Sequence, residues 1–182
     1  TVIADLLASS GDYALTVADR DPVAVERVGA ELPGVRAVVL DIGDPDALAA
    51  MLEGRWAVVD AGPFDIGARI ASAAVSEGVH YLNLTEDITS TRRVREFAVD
   101  ARSALIPQCG LAPGFISIVA YDLATRFDEL RDVRMRVGAL PKYPSNGLKY
   151  NLTWSTDGLI NEYLNPCEAI VDGVRREMPA LE

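Results

Sequence analysis

The chain has one histidine, His80, and two cysteines, Cys109 and Cys167, in 182 residues. One imidazole cannot build a multi-histidine metal site within a single chain. Two distant thiols with no Cys-x-x-Cys pair read as free thiols of a reducing compartment, which points to the cytoplasm. Lysine is nearly absent: Lys142 and Lys149 are the only two, and the rest of the 17 basic residues are arginine. Acids outnumber bases, 27 to 17, for a net charge of −10. No basic stripe offsets that excess, so nucleic acid is not an expected partner. Long apolar runs are missing as well. "WAVVDAG" and "FISIVAY" are too short to span a bilayer, and no signal-peptide pattern is visible. No repeat or low-complexity segment occurs.

What is present is alternation. Strand-like runs occur at 13–19, 35–41, 56–62, 80–84 and 104–109, and helix-like runs at 22–32, 44–54, 65–78 and 90–103 separate them. The strands are apolar nearly throughout, as expected when helices cover both faces of a parallel sheet. Pro22 suits the first turn of its helix. Asp44 reads as an N-cap, Gly54 and Gly78 as C-caps, and Ser90 or Thr91 as the start of the fourth helix. The texture changes after Gly114. A helix from Gly114 leads to alternating strands at 133–141 and 148–155, a helix at 156–165 and a strand at 167–173. The expected fold is therefore α/β. A Rossmann-like, doubly wound parallel sheet spans residues 1–127, with its first strand and Gly-rich loop upstream of Thr1. The opening of an α+β substrate or dimerisation domain follows at 128–182.

Asp19 carries the cofactor expectation. In a dinucleotide-binding βαβ unit an acid ends the second strand about twenty residues after the Gly-rich motif begins, and it accepts from the ribose hydroxyls. Counting back from Asp19 places that motif just before Thr1. Arg20 suits a 2′-phosphate, but Asp19 opposes one, so NAD is expected, with NADP possible. In an open parallel sheet, ligands bind beyond the carboxyl ends of the strands. Those ends read "DIGD" (Asp41, Ile42), "AGPF" (Gly62, Pro63, Phe64), "LTED" and "CGLAPGF" (Cys109, Gly110, Pro113, Gly114). Without the phosphate-binding loop, the chain as it stands is expected to hold a dinucleotide weakly.

The segments "VVDAGPF", "GVHYLNLTED", "CGLAPGF" and "VGALPKYPSNGLKYNLTWSTDGLINEYLNP" resemble the saccharopine dehydrogenase-like family, most nearly its lysine 6-dehydrogenases. The resemblance implies a two-domain NAD(P)-dependent oxidoreductase, a homodimer, that moves hydride at a C–N bond of a lysine-related amino acid. It places Asp19 on the ribose, Gly62, Pro63 and Phe64 along the cofactor, and Cys109, Gly110, Pro113 and Gly114 beside the nicotinamide. It assigns Tyr150, Asn151 and Trp154 to the substrate domain. A polyamine-forming relative of the homospermidine synthase or carboxynorspermidine dehydrogenase type, and a non-catalytic cofactor-binding sensor, are the alternative readings. One position departs from the family: Asn83 stands where it often has Asp, and an amide cannot act as a base.

Proton transfer needs a titratable group in the cleft. His80, Tyr81, Glu86, Asp87, Cys109 and Lys142 qualify by type. His80 starts its strand, away from the ligand end. Glu86 and Asp87 lie just beyond the ligand end, where a helix N-terminus also favours acids. Lys142 sits in the turn of the second domain. Glu86, Asp87 and Lys142 are the catalytic candidates.

Overall fold

The computed structural model describes residues 2–138, 141–147, 149, 152 and 155–180. The chain divides after Glu53 into two compact units.

In the first unit α1 (Val2–Ser10) is followed by β1 (Thr16–Asp19), α2 (Pro22–Glu31), β2 (Arg36–Val39) and α3 (Pro45–Leu52). β1 and β2 pair in parallel from Thr16 opposite Arg36 to Asp19 opposite Val39. Parallel neighbours need a crossover, and α2 supplies it. Both helices after a strand begin on an aspartate followed by proline. Asp21 Oδ1 accepts from the Val23 N–H at 2.9 Å, and Asp44 Oδ1 from those of Asp46 and Ala47 at 3.0 and 3.1 Å. These caps satisfy N–H groups that have no carbonyl partner within the helix. Val28 of α2 and Leu48 and Leu52 of α3 are buried.

The second unit holds a three-stranded parallel sheet. Its strands are β3 (Ala57–Asp60), β4 (His80–Asn83) and β5 (Leu105–Ile106), with β4 in the middle. A 3₁₀ turn, Phe64–Ile66, leads into α4 (Gly67–Glu77), and α5 (Ile88–Ala98) crosses from β4 to β5. Ile70, Ala71 and Ala74 of α4, Val79, Tyr81 and Val94 make the core, and both alanines are fully buried. Small residues there let the helix lie close to the strands. Gly78 ends α4 at φ 69°, its N–H reaching back to the Ala74 and Val75 carbonyls. The chain continues through α6 (Phe115–Ala124) and α7 (Thr156–Leu164) to β6 (Cys167–Val171) and β7 (Val174–Met178). β6 and β7 form an antiparallel hairpin. Its turn residues Asp172 and Gly173 both have positive φ, 53° and 75°, which matches the twist of paired strands.

The sheets follow the expected parallel α/β pattern, with shorter strands than the apolar runs suggest. Some details differ. The helix expected at 90–103 is α5, which spans Ile88–Ala98 and is capped by Asp87, not by Ser90 or Thr91. A carboxylate one turn earlier takes the Ser90 N–H at 2.6 Å. Gly54 lies one residue past the C-cap Glu53, at φ 67°. Residues 133–138 alternate like a strand but form none. Val133, Met135 and Val137 stand 56 %, 54 % and 48 % exposed, and no described strand pairs with them. An alternating pattern becomes a strand only when a neighbour takes its backbone groups. The expected strand at 148–155 lies largely outside the described residues. α7 begins at Thr156, as expected, and is capped by Ser155, whose Oγ accepts from the Gly158 N–H at 3.1 Å. β7 was not anticipated.

Candidate functional site

The expected cofactor residues fall into two groups. In the first unit Asp19 ends β1, exposed. Its Oδ1 accepts from the Asp21 N–H at 2.9 Å, which fixes the carboxylate beside the start of α2. Arg20 follows it, also exposed. Beyond β2, Asp41 Oδ1 accepts from the Gly43 N–H at 2.8 Å, with half-buried Ile42 between them.

In the second unit the carboxyl ends of β3, β4 and β5 carry Gly62–Phe64, Leu84–Asp87 and Gln108–Gly114. Here the glycines leave little room for a side chain: at Gly110 and Gly114 the obstacle is backbone, at Gly62 it is the end of the Ile66 side chain. A Cβ on Gly62 would run into Ile66, and one on Gly110 would sit 2.9 Å from the Leu84 carbonyl oxygen. Gly114 has φ 131°, and a Cβ there would lie 2.8 Å from the Gln108 carbonyl oxygen. A parallel bridge joins Gly110 to Gly114, and the Phe115 N–H returns to the Gly110 carbonyl at 2.9 Å. The segment is therefore a tight turn that delivers the chain into α6. Pro113 lies within it, after a cis peptide bond.

Beneath these turns runs a buried polar chain. Asp60, at the end of β3, is 7 % exposed, Tyr81 0 % and Asn83 1 %. The Tyr81 hydroxyl donates to Asp60 Oδ2 at 2.8 Å, with the Gly67 carbonyl a second acceptor at 3.2 Å. It accepts from Asn83 Nδ2 at 3.1 Å. Asp60 Oδ1 accepts from the Gly62 N–H at 3.0 Å. Asn83 Oδ1 accepts from the Gln108 N–H at 2.9 Å, and the Asn83 carbonyl from the Cys109 N–H at 2.7 Å. Gln108 is held at φ 61°, a conformation that costs an L-residue roughly 1–2 kcal/mol. One residue on each of two adjacent strands thus fixes the backbone of two loops. Burial raises the Asp60 carboxyl above its ordinary 3.8, outweighing the Gly62 and Tyr81 bonds that lower it. Burial, and then the Asp60 charge, push the Tyr81 phenol above its ordinary 10.0. Tyr81 therefore stays neutral and acts as a fixed donor.

Asp60 was not anticipated from the sequence. The available signal was an acid near the end of an otherwise apolar strand. For Asn83 the structure supplies a reason: both ends of its amide are used. A carboxylate there would offer Tyr81 no N–H and would bring a second acid to the hydroxyl already bound to Asp60.

The three catalytic candidates occupy different settings. Asp87 is buried and caps α5 through Oδ2, while its Oδ1 accepts from Asn161 Nδ2 at 3.2 Å. It thereby ties α5 to α7. Glu86 is half-buried in the loop just before that cap. Lys142 is exposed, its Nζ 5.6 Å from the centre of the Tyr143 ring. A cavity of about 370 Å³ opens beside Asp87 and is lined by Phe64, Asp65, Ser90, Arg93, Asn161 and Asn165, among others. Cys109 donates to the Ile106 carbonyl at 3.2 Å, and burial pushes its thiol up. His80 Nδ1 accepts from the Ala104 N–H at 2.9 Å, and its ring meets Trp56 edge-on at 5.1 Å. That fits a structural role at the amino end of β4. Tyr150, Asn151 and Trp154 lie outside the described residues. Among the described residues no cluster of three or more His, Cys, Asp or Glu could hold a metal, and no helix is long and apolar enough to cross a membrane.

Parallel strands joined by helical crossovers, with tight glycine turns at their carboxyl ends, define the Rossmann-like class of α/β proteins. The comparisons narrow the class. Residues 1–109 match the saccharopine dehydrogenase NADP binding domain and residues 110–182 the saccharopine dehydrogenase C-terminal domain. The chain belongs to the saccharopine dehydrogenase family. It is 22 % identical over 165 residues to the saccharopine dehydrogenase [NADP(+), L-glutamate-forming] of Schizosaccharomyces pombe, covering 87 % of this chain and 37 % of that protein. The Saccharomyces cerevisiae enzyme of the same name is 24 % identical over 177 residues, 94 % of this chain and 40 % of its own. The solved structure of an apo, histidine-tagged saccharopine dehydrogenase (L-Glu forming) from Saccharomyces cerevisiae superposes with a TM-score of 0.69 at 21 % identity. It covers 98 % of this chain and 41 % of that one. The chain spans about two-fifths of the length of these relatives.

Proposed function

We propose that the protein is an NAD(P)-dependent oxidoreductase acting on a C–N bond of a lysine-related amino acid. The observation that carries this reading is the pair of glycine-built turns at the carboxyl ends of β3 and β5, within a chain matched by both family domains. Turns without side chains let a flat ring and a phosphate backbone approach the peptide, and Gly62, Gly110 and Gly114 fit that demand. The nicotinamide, when bound, supplies the hydride acceptor or donor. The chain's part is to bind, orient and move a proton. We assign Asp19 to the ribose, Asp41 and Ile42 to the adenine side, Gly62, Pro63 and Phe64 along the cofactor, and Cys109, Gly110, Pro113 and Gly114 to the nicotinamide side. Of the proton-transfer candidates we favour Glu86, because Asp87 already has both oxygens engaged and Lys142 lies in an exposed turn.

The family description and the yeast relatives' names favour NADP, against the NAD expected from Asp19. Arg20 is the group suited to a 2′-phosphate, and its neighbour Asp19 is the group that opposes one. Replacing Arg20 by Ala is expected to raise the KM for NADPH about tenfold and leave that for NADH within about twofold. Equal effects on both would remove Arg20 from 2′-phosphate recognition. The substrate is tested by following reduced nicotinamide absorbance with L-lysine alone, with saccharopine and with small diamines. Turnover of lysine alone supports the lysine 6-dehydrogenase type, and turnover of saccharopine the activity named for the relatives. Diamine turnover would move the reading to polyamine chemistry. Cofactor binding without turnover of any of them would make the protein a sensor.

A further inference from the structure

We propose that Asn83 is a positioning residue that sets the Gln108–Gly114 turn by linking it to the Asp60–Tyr81 pair. The side chain is used at both ends. Nδ2 donates to the Tyr81 hydroxyl at 3.1 Å and Oδ1 accepts from the Gln108 N–H at 2.9 Å. Its own carbonyl takes the next amide, that of Cys109, at 2.7 Å. Two consecutive loop amides are therefore fixed by one residue of the central strand, and the first belongs to the left-handed Gln108. Asn83 is itself enclosed. It is 1 % exposed, and Tyr81, which it grips, is 0 % exposed and bonded to a carboxylate. The rigid end of the chain is the sheet, and the end that needs holding is the turn. A Cβ cannot be accommodated at Gly114 or Gly110 without striking backbone of this same region, so a small displacement of the turn alters the whole approach to α6.

The assignment of this turn to the nicotinamide side rests on the proposed function, but the positioning role is tested without any cofactor. Cys109 serves as the reporter, with the exposed Cys167 replaced by Ser so that one thiol remains. Asn83→Leu removes both side-chain bonds, whereas Asn83→Asp keeps an acceptor for Gln108. The labelling rate of Cys109 by a thiol reagent is expected to rise about tenfold or more in N83L and by a smaller factor in N83D, which keeps the Gln108 bond and loses the one to Tyr81. A parent-like rate in either variant would overturn the proposal. Should N83L fail to fold, amide exchange of the unsubstituted chain decides. Gln108 and Cys109 N–H are expected to exchange at least about a hundredfold more slowly than unstructured amides, and unprotected exchange at both would overturn it. Absence of turnover with protected amides would refute the oxidoreductase reading and leave the positioning role standing.

Discussion

Gly67 shows how much one missing methyl decides. A Cβ at that position would lie 3.0 Å from Ser90 Oγ, 3.1 Å from the Tyr81 hydroxyl and 3.2 Å from Asp60 Oδ2. A methyl among three oxygens must push them apart and weaken the bond between the Tyr81 hydroxyl and Asp60. Gly67→Ala is expected to cost about 1–3 kcal/mol by denaturant unfolding, although alanine is the better helix former. A stabilised G67A would show that the oxygens yield freely. Asp60 gives a pH prediction. Its folded carboxyl is raised above 3.8, so the folded state holds a proton that the unfolded state has released. Stability from this group is full below 3.8 and is lost as pH rises through the raised folded value. Asp60→Asn should remove that falling component from the stability–pH curve. An unchanged curve in D60N would assign the slope to other acids.

Among the elements, α5 is started by a side chain that also reaches a second helix. Asp87 closes its first turn and also reaches Asn161 of α7. Asp87→Ala should cost about 1 kcal/mol for the cap alone. A double-mutant cycle with Asn161→Ala should return a coupling of about 0.5–1 kcal/mol. Zero coupling would mean that α7 is held by other contacts. The helices were legible in the sequence because their caps are local: Asp44, Gly78 and the proline first turns act within a few residues. The cap of α5 differs from the expected one because several good cap types crowd one short stretch, Asp87, Ser90 and Thr91 among them. Only the geometry shows which carboxylate meets which N–H. The strand expected at 133–141 is not formed over 133–138 for a different reason: its pattern is local, but a strand also needs a neighbour to take its backbone groups.

For the whole molecule, parallel topology followed from the alternation of apolar runs and capped helices, and the carboxyl-end turns followed from their glycines. The buried chain Asp60–Tyr81–Asn83 did not. It joins residues on two strands 21 positions apart, and no spacing rule along a sequence encodes that register. The surface carries one further expectation. On α6, Phe115, Ile118 and Tyr121 are 60 %, 69 % and 75 % exposed, more apolar area than a lone helix usually leaves in water. Concentration-dependent self-association is expected by sedimentation velocity, weakened in Ile118→Asp. A single sedimenting species over a hundredfold range of concentration, on the order of micromolar, would exclude it.

The Tyr81 hydroxyl carries one proton and lies between a carboxylate and a peptide carbonyl, sealed from water by the core. Such a proton leaves only when the sheet opens. It should therefore give its own downfield resonance in a proton spectrum, where most phenolic protons are averaged away by exchange with solvent. The lifetime of that signal would time the opening of the second unit directly, with no label and no ligand.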